Sequence, residues 1–272
     1  MIITKTPLRI SLAGGGSDLP AFYQRAPGAV VSFSVDLFIY IAIHRFFEER
    51  IVLKYSRTEE VENVCDIEHP LIRECLNICA CHQPVELTSF ADIPSKGSGL
   101  GSSSAFAVGL IKAVHAYLGK NISKERCAEI ACQVELERLG GPIGKQDQYG
   151  AAMGGLNFLK FHQDGSVHVE PIVVDRDGRR YLEERMLLFY TGITRSASDL
   201  LKEQQENTVS DDEKYQDLCA MRDLAEELRS KLVAGEFDSV GKVLHQGWEL
   251  KRGLTARISS GEIDALYTRA MK

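Results

Sequence analysis

The sequence lacks any run of 18 apolar residues, and its start, MIITKTPLRIS, has neither the basic opening nor the long apolar stretch of a secretion signal. A helical membrane span needs about 20 such residues, so the expectation is a cytoplasmic protein with no membrane partner. Positive charge is not in surplus either: 32 Lys and Arg stand against 38 Asp and Glu, a net charge of -6. That balance gives no electrostatic case for nucleic acid, so any anion must be recognised locally. The seven cysteines are odd in number and lack the regular framework of small secreted domains. Cys75, Cys79, Cys81 and His82, with Cys65 and His69 upstream, form a candidate metal cluster. Paired C-x-x-C knuckles are missing, however, and Cys75 and Cys79 fall on one helix face, which favours reduced, buried thiols. There is no internal repeat and no low-complexity linker.

What is present is a chain of 272 residues, enough for one large domain or two modest ones. Alternating Leu8, Ile10 and Leu12 predict a strand that ends in Gly14, Gly15 and Gly16. AVVSFSVDLFIYIAIHRFF, RIVLKYS, PVELTSFADI, GLNFLKF, SVHVEPIVV and RMLLFYTG read as further strands, rich in β-branched and aromatic residues. Pro70 to Cys81 predicts a helix. Phe106, Leu110, Ile111, Val114 and Leu118 recur at helical spacing, and a second helix starts after Ser123. From about Ser196 to Leu250 the pattern is mostly helical. Together these predict an α+β fold in two lobes.

The densest chemistry lies in PSKGSGLGSSSAFA, Pro94 to Ala107, where glycines and serines run straight into a helix. The first turn of a helix has N–H groups without partners, and its dipole favours an anion by about 0.3 to 1 kcal/mol. Glycines there let the backbone approach a phosphate closely. A flexible linker is the alternative on composition alone. The stretch is neither a Walker loop, because Ser102 follows Gly101 where lysine is required, nor a dinucleotide fingerprint, which needs a third glycine at Ser102.

The string Pro94-x-x-Gly97-x-Gly99-Leu100-Gly101-Ser102-Ser103-x-Ala105 resembles the second motif of the GHMP kinases, which phosphorylate small-molecule alcohols with ATP. PLRISLAGGGSDLP resembles the family's first motif. GGPIGKQDQYGAAMGG resembles the loop of its catalytic aspartate, with Gly144, Lys145, Gln146, Asp147 and Gln148 on the pattern Gly-x-x-Asp-Gln, and Glu135 lies twelve residues before Asp147. The resemblance implies a ribosomal S5 domain 2-like N-terminal lobe over residues 1–174 and an α/β C-terminal lobe over 175–272. It implies that backbone and hydroxyls of Gly97, Ser98, Gly99, Leu100, Gly101, Ser102, Ser103 and Ser104 cradle the ATP phosphates. It further implies that Ser103 and Glu135 hold Mg²⁺, that Asp147 is the base, and that Arg9 stabilises the alkoxide or the transferring phosphoryl group. By residue type alone, Ser103 is equally a helix cap, Glu135 a solvated helix residue, Asp147 an N-cap and Arg9 a salt-bridge partner.

In the first motif Gly15, Gly16, Ser17 and Asp18 match substrate-binding positions, with Asp18 accepting from substrate hydroxyls. Galactokinases have Glu-His where this chain has Gly15-Gly16. That departure implies an opened pocket for a longer sugar. RISLAGGGSDLPAFY, GKQDQYGAAMGG and YTGITRSASDLL look most like the branch that phosphorylates the anomeric (C1) hydroxyl of a heptose already carrying a phosphate, the D-glycero-D-manno-heptose 7-phosphate kinases. Fucose- or galactose-type 1-kinases, and a non-catalytic sensor on the same fold, are the alternatives. A sugar phosphate substrate needs cations, for which Lys145, Arg195 and Lys96 are candidates. The family also has a third motif, a second glycine-rich loop, unmatched before the sequence ends at SSGEIDALYTRAMK. The resemblance thus implies an incomplete C-terminal lobe with exposed apolar faces, and with low solubility or homodimerisation and weak activity as consequences.

Overall fold

The structure is a computed structural model that describes residues 1–93, 99–192, 197–255 and 257–272. Its strands are β1 (Ile2–Ala13), β2 (Gly28–Arg45), β3 (Ile51–Lys54), β4 (Thr58–Val61), β5 (Val85–Ala91), β6 (Leu156–Phe161) and β7 (Val167–Pro171). Its helices are α1 (Pro20–Tyr23), α2 (Pro70–Ile78), α3 (Ser102–Tyr117), α4 (Lys124–Cys132), α5 (Gln146–Met153), α6 (Arg176–Arg185), α7 (Ala197–Ser210), α8 (Asp212–Ala234), α9 (Val240–Leu254) and α10 (Gly261–Ala270). The fold is α+β. Contacts group into two compact units, residues 1–10 with 33–155, and residues 11–32 with 156–272. This division differs from the single cut expected after residue 174, because the long strands β1 and β2 each supply residues to both units.

In the first unit the strand order is β4-β3-β5-β2, with β1 also paired to β2. β2 and β5 are antiparallel, with Ile41 opposite Ser89, while β3 and β5 run parallel, with Leu53 opposite Leu87. Ile39, Ile41 and Ile43 alternate inward along β2, as the period of a strand with one buried face requires. They meet Leu110, Ile111 and Val114 of α3 and Ile72 and Leu76 of α2 in one core. Each such side chain contributes about 1.5–3 kcal/mol when fully buried. Helix α3 is nearly all apolar because it is enclosed on most sides. It lies close against β1: Thr4 Oγ1 donates to the Gly109 carbonyl at 2.9 Å, and a Cβ on Gly109 would come within 2.7 Å of Thr6 Oγ1. Strand β1 is thereby fixed along the helix that starts at the glycine-serine stretch.

In the second unit Ala13, Ala29, Val31 and Phe158 pack against Ala225, Leu228 and Leu232 of α8. Phe22 packs with Leu218 and Met221, and Arg229 holds Glu170 through two bonds of 2.9 and 2.7 Å. One predicted strand is absent. Beyond Arg185, which ends α6, RMLLFYTG forms no regular element, and Leu187, Leu188, Phe189 and Tyr190 are 79, 60, 73 and 70% exposed. Strand propensity expresses packing against neighbours, and among the described residues no strand lies alongside this one. Among the described residues, no helix is long and apolar enough to cross a membrane.

Candidate active site

Arg9 comes from β1, Asp147 from the first turn of α5, and Gly99 to Gly101 from the approach to α3. Arg9 anchors that approach twice: its backbone N–H donates to the Leu100 carbonyl at 3.2 Å and its Nη1 to the Gly99 carbonyl at 3.3 Å. Its Nε donates to Asp147 Oδ1 at 2.8 Å, and Nη2 donates to the same oxygen. Gly101 is the residue before α3, in the left-handed region at φ 71°, and has no side chain to cap the helix. A Cβ there would lie 3.2 Å from Asp147 Oδ2 and 3.4 Å from the Arg9 guanidinium. Glycine at 101 therefore lets the start of the helix, with its N–H donors, sit directly beside the ion pair.

The second cluster adjoins the first. Helix α4 passes into a π-helical turn over Gln133–Arg138, where the Leu139 N–H donates to the Val134 carbonyl at 3.0 Å and the Gly141 N–H to the Glu135 carbonyl at 2.9 Å. Such a turn inserts a residue and re-aims side chains, and it is frequent at functional sites. Here it buries Glu135, which is 5% exposed. Ser103 Oγ, in the first turn of α3, donates to Glu135 Oε1 at 2.8 Å, and Gln148 Nε2 donates to Oε2 at 2.7 Å. The sequence alone assigns Gln148 no role, although it adjoins the candidate base.

Burial holds the Glu135 carboxyl above its ordinary range, against the opposite pull of bonds from Ser104, Ser103 and Gln148, and the Asp147 charge adds to the rise. A raised carboxyl binds its proton more tightly in the folded than in the unfolded chain. It therefore disfavours folding as pH climbs through its own pKa, and has no such cost below the ordinary carboxylate range. Glu135→Gln is expected to raise Tm at neutral pH, with the gain vanishing on acidification; an unchanged or lower neutral Tm would contradict a burial cost.

A hydroxyl and a carboxylate side by side are hard oxygen donors. They suit Mg²⁺, which takes few protein ligands and completes its shell with phosphate oxygens and water. The cysteine cluster is a different matter. No disulfide joins any of the seven cysteines, and burial pushes the thiols of Cys79 and Cys127 up to about 12, as for protonated thiols packed in a core. Among the described residues no group of three or more His, Cys, Asp or Glu could hold a metal.

Arg9, Gly99, Leu100, Gly101, Ser103, Ser104, Glu135 and Asp147 thus meet in the first unit, and Ser102 begins α3 beside them. Lys145, half-buried, caps α5 two residues before Asp147, its carbonyl accepting from the Tyr149 N–H at 3.4 Å. Lys96, Gly97, Ser98 and Arg195 lie outside the described residues. Gly15, Gly16, Ser17 and Asp18 belong to the second unit. Asp18 is buried and its Oδ1 accepts from the Gly16 N–H at 3.0 Å. Two expectations change here. Ser17 is fully buried, its hydroxyl donating to the carbonyls of Gly14 and Ala29 at 2.8 and 2.9 Å and accepting from the Ala29 N–H at 3.0 Å, so it holds the loop and presents nothing to a substrate. Nor does glycine at 16 open a pocket. A Cβ there would meet Gln204 Nε2 at 2.4 Å and Leu218 Cδ2 at 2.9 Å, so α7 and α8 already fill that space.

Residues 52–155 match the family model described as GHMP kinases N terminal domain, ending where the first unit ends. The chain thus carries a GHMP kinase N-terminal domain and is an ATP-dependent small-molecule kinase. It is 29% identical to a D-glycero-alpha-D-manno-heptose 7-phosphate kinase of Campylobacter jejuni, over 99% of this chain and 83% of that one. The crystal structure of a D-glycero-D-manno-heptose 1-phosphate kinase from Bacteroides thetaiotaomicron superposes with a TM-score of 0.79 at 26% identity, over 93% of this chain and 79% of that one. A phosphomevalonate kinase of Streptococcus pneumoniae, solved with phosphomevalonate and AMPPNP, shares the fold at a TM-score of 0.76 and 16% identity, over 96% and 82%.

Proposed function

We propose that the acceptor is a sugar and that the enzyme transfers the ATP γ-phosphoryl group to its anomeric (C1) hydroxyl, the substrate being D-glycero-D-manno-heptose 7-phosphate and the product the 1,7-bisphosphate. The observation that carries the phosphotransfer reading is the Arg9–Asp147 pair set against the start of α3, with Ser103 and Glu135 beside it. Phosphoryl transfer asks little covalent work of a protein and much positioning and charge neutralisation. Asp147 takes the proton from the acceptor hydroxyl, and Arg9 fixes its Oδ1 while offering positive charge to the developing alkoxide. Ser103 and Glu135 would hold Mg²⁺, which would neutralise phosphate charge there. The uncapped N–H donors of α3 receive phosphate oxygens. From the resemblance, Asp18 accepts from sugar hydroxyls, and Lys145 and Arg195 answer the substrate's own phosphate.

The choice of heptose rests on similarity over nearly the whole chain to a heptose 7-phosphate kinase. A fucose- or galactose-type 1-kinase is the neighbouring reading, supported by lower similarity to a Pyrococcus furiosus galactokinase, at 23% identity. A binding-only sensor has no use for a base with its guanidinium partner. A panel of free and phosphorylated hexoses and heptoses, assayed by coupled ADP release, tests the proposal. Heptose 7-phosphate is expected to exceed galactose by at least about 10²-fold in kcat/KM, because a site built for a phosphate leaves its cations unpaired when the phosphate is missing. Comparable rates on the two sugars would overturn the heptose assignment.

A further inference from the structure

Among the side chains of the first unit, Gln148 is unusual in being polar, wholly buried and without a role in the chemistry proposed above. It follows Asp147 on α5, so the helix that carries the candidate base on one side carries Gln148 one residue on. Its Nε2 donates to Glu135 Oε2 at 2.7 Å. The amide orientation is forced, since a carboxylate accepts and cannot donate. Its other end has no such bond: Gln148 Oε1 is buried without a hydrogen-bond partner. An orphaned buried acceptor is costly, and native structures keep few of them. A leucine would fill the same volume without that cost, so the amide is there for its donor.

The two oxygens of Glu135 are thus divided. Oε1 meets the Ser103 hydroxyl at 2.8 Å, while Oε2 is held from behind by Gln148. The carboxylate cannot rotate about its last bond without losing one of the two. Glu135 itself sits on the π-helical turn, whose backbone is set by the Leu139 and Gly141 N–H groups and gives the side chain a less regular support than an α-helix. We infer that Gln148 is a positioning residue that locks the Glu135 carboxylate so that Oε1 is presented with the Ser103 hydroxyl as one cation-binding edge, and that it ties this edge to α5 and hence to Asp147. Gln148 touches neither acceptor nor cation. The inference rests on the proposed cation role of Ser103 and Glu135.

The test is Mn²⁺ affinity, measured by electron paramagnetic resonance on the full chain with AMPPNP present, beside the Mg²⁺ concentration for half-maximal activity. Gln148→Leu is expected to weaken Mn²⁺ binding and raise the Mg²⁺ requirement by about tenfold, the size of one bond to a charged group. Gln148→Asn, one methylene short, is expected to behave like Gln148→Leu on the metal. In the double variant with Glu135→Gln, the Gln148 change is expected to add nothing, because it acts only through that carboxylate. Unchanged Mn²⁺ affinity in Gln148→Leu together with a lower Tm would make Gln148 a packing residue and overturn the inference. Unchanged affinity in Glu135→Gln alone would instead overturn the cation site on which it rests. If Gln148→Leu fails to fold, Gln148→Asn decides, with loss of metal affinity supporting the inference and wild-type affinity refuting it.

Discussion

Replacing Asp147 by Asn is expected to lower kcat by about 10² to 10⁴ while leaving the KM for ATP within about threefold of wild type. The substitution keeps the shape and one carbonyl oxygen, so Arg9 Nε, which donates to Asp147 Oδ1 at 2.8 Å, retains an acceptor. What disappears is the carboxylate's capacity to take a proton. The nucleotide contacts assigned to α3 and to Ser103 stay in place, because they come from a different element. Steady-state kinetics with varied ATP at saturating sugar check the split, and thermal unfolding checks that the fold survives. A variant within threefold of wild type in kcat would remove Asp147 from the chemistry. A parallel rise in the KM for ATP would mean that Asp147 acts mainly by holding Arg9, whose Nη1 donates to the Gly99 carbonyl at 3.3 Å in the approach to α3.

Part of this site is visible in the sequence because its signals are local. The glycine-serine stretch announces a helix start, and a helix forms over Ser102–Tyr117. The opening strand, the isoleucine alternation of β2 and the helix after Ser123 are equally local patterns. The pairing of Arg9 with Asp147 spans 138 residues of sequence and has no local signature. Only the family resemblance points to it. The π-helical turn under Glu135 has no sequence signal, since its residues, QVELER, carry ordinary helix propensity. RMLLFYTG departs in the opposite direction, because its composition says strand while among the described residues no strand lies alongside it.

The first motif misleads in a more instructive way. Gly15-Gly16 in place of Glu-His implies an opened pocket, whereas Gly16 is close-packed against neighbouring elements, and so is Gly14 before it. Gly14 sits at φ 85°, and a Cβ on it would lie 1.9 Å from the Ala29 carbonyl oxygen and 2.9 Å from Ala225 Cβ. Neither neighbour can swing aside, one being β2 backbone and the other the first atom of a side chain on α8. Moving β2 at Ala29 would also break the bonds of the Ser17 hydroxyl, which joins the carbonyls of Gly14 and Ala29 at 2.8 and 2.9 Å. Gly14→Ala is therefore expected to cost about 3 kcal/mol or more, combining the strain of a non-glycine residue at positive φ with the displacement of packed backbone. For a domain of this size that is a fall in Tm of roughly 6 to 12 °C. Gly235, which ends α8 at φ 75° and where an added Cβ would have nothing within 4 Å, supplies the control. Gly235→Ala bears the conformational strain alone and is expected to cost about 1–2 kcal/mol. Differential scanning calorimetry of the two variants separates packing from conformation: a clear gap, with Gly14→Ala the less stable, assigns the first glycine of the motif to holding β2 against α8, and equal melting temperatures would return it to a purely conformational role.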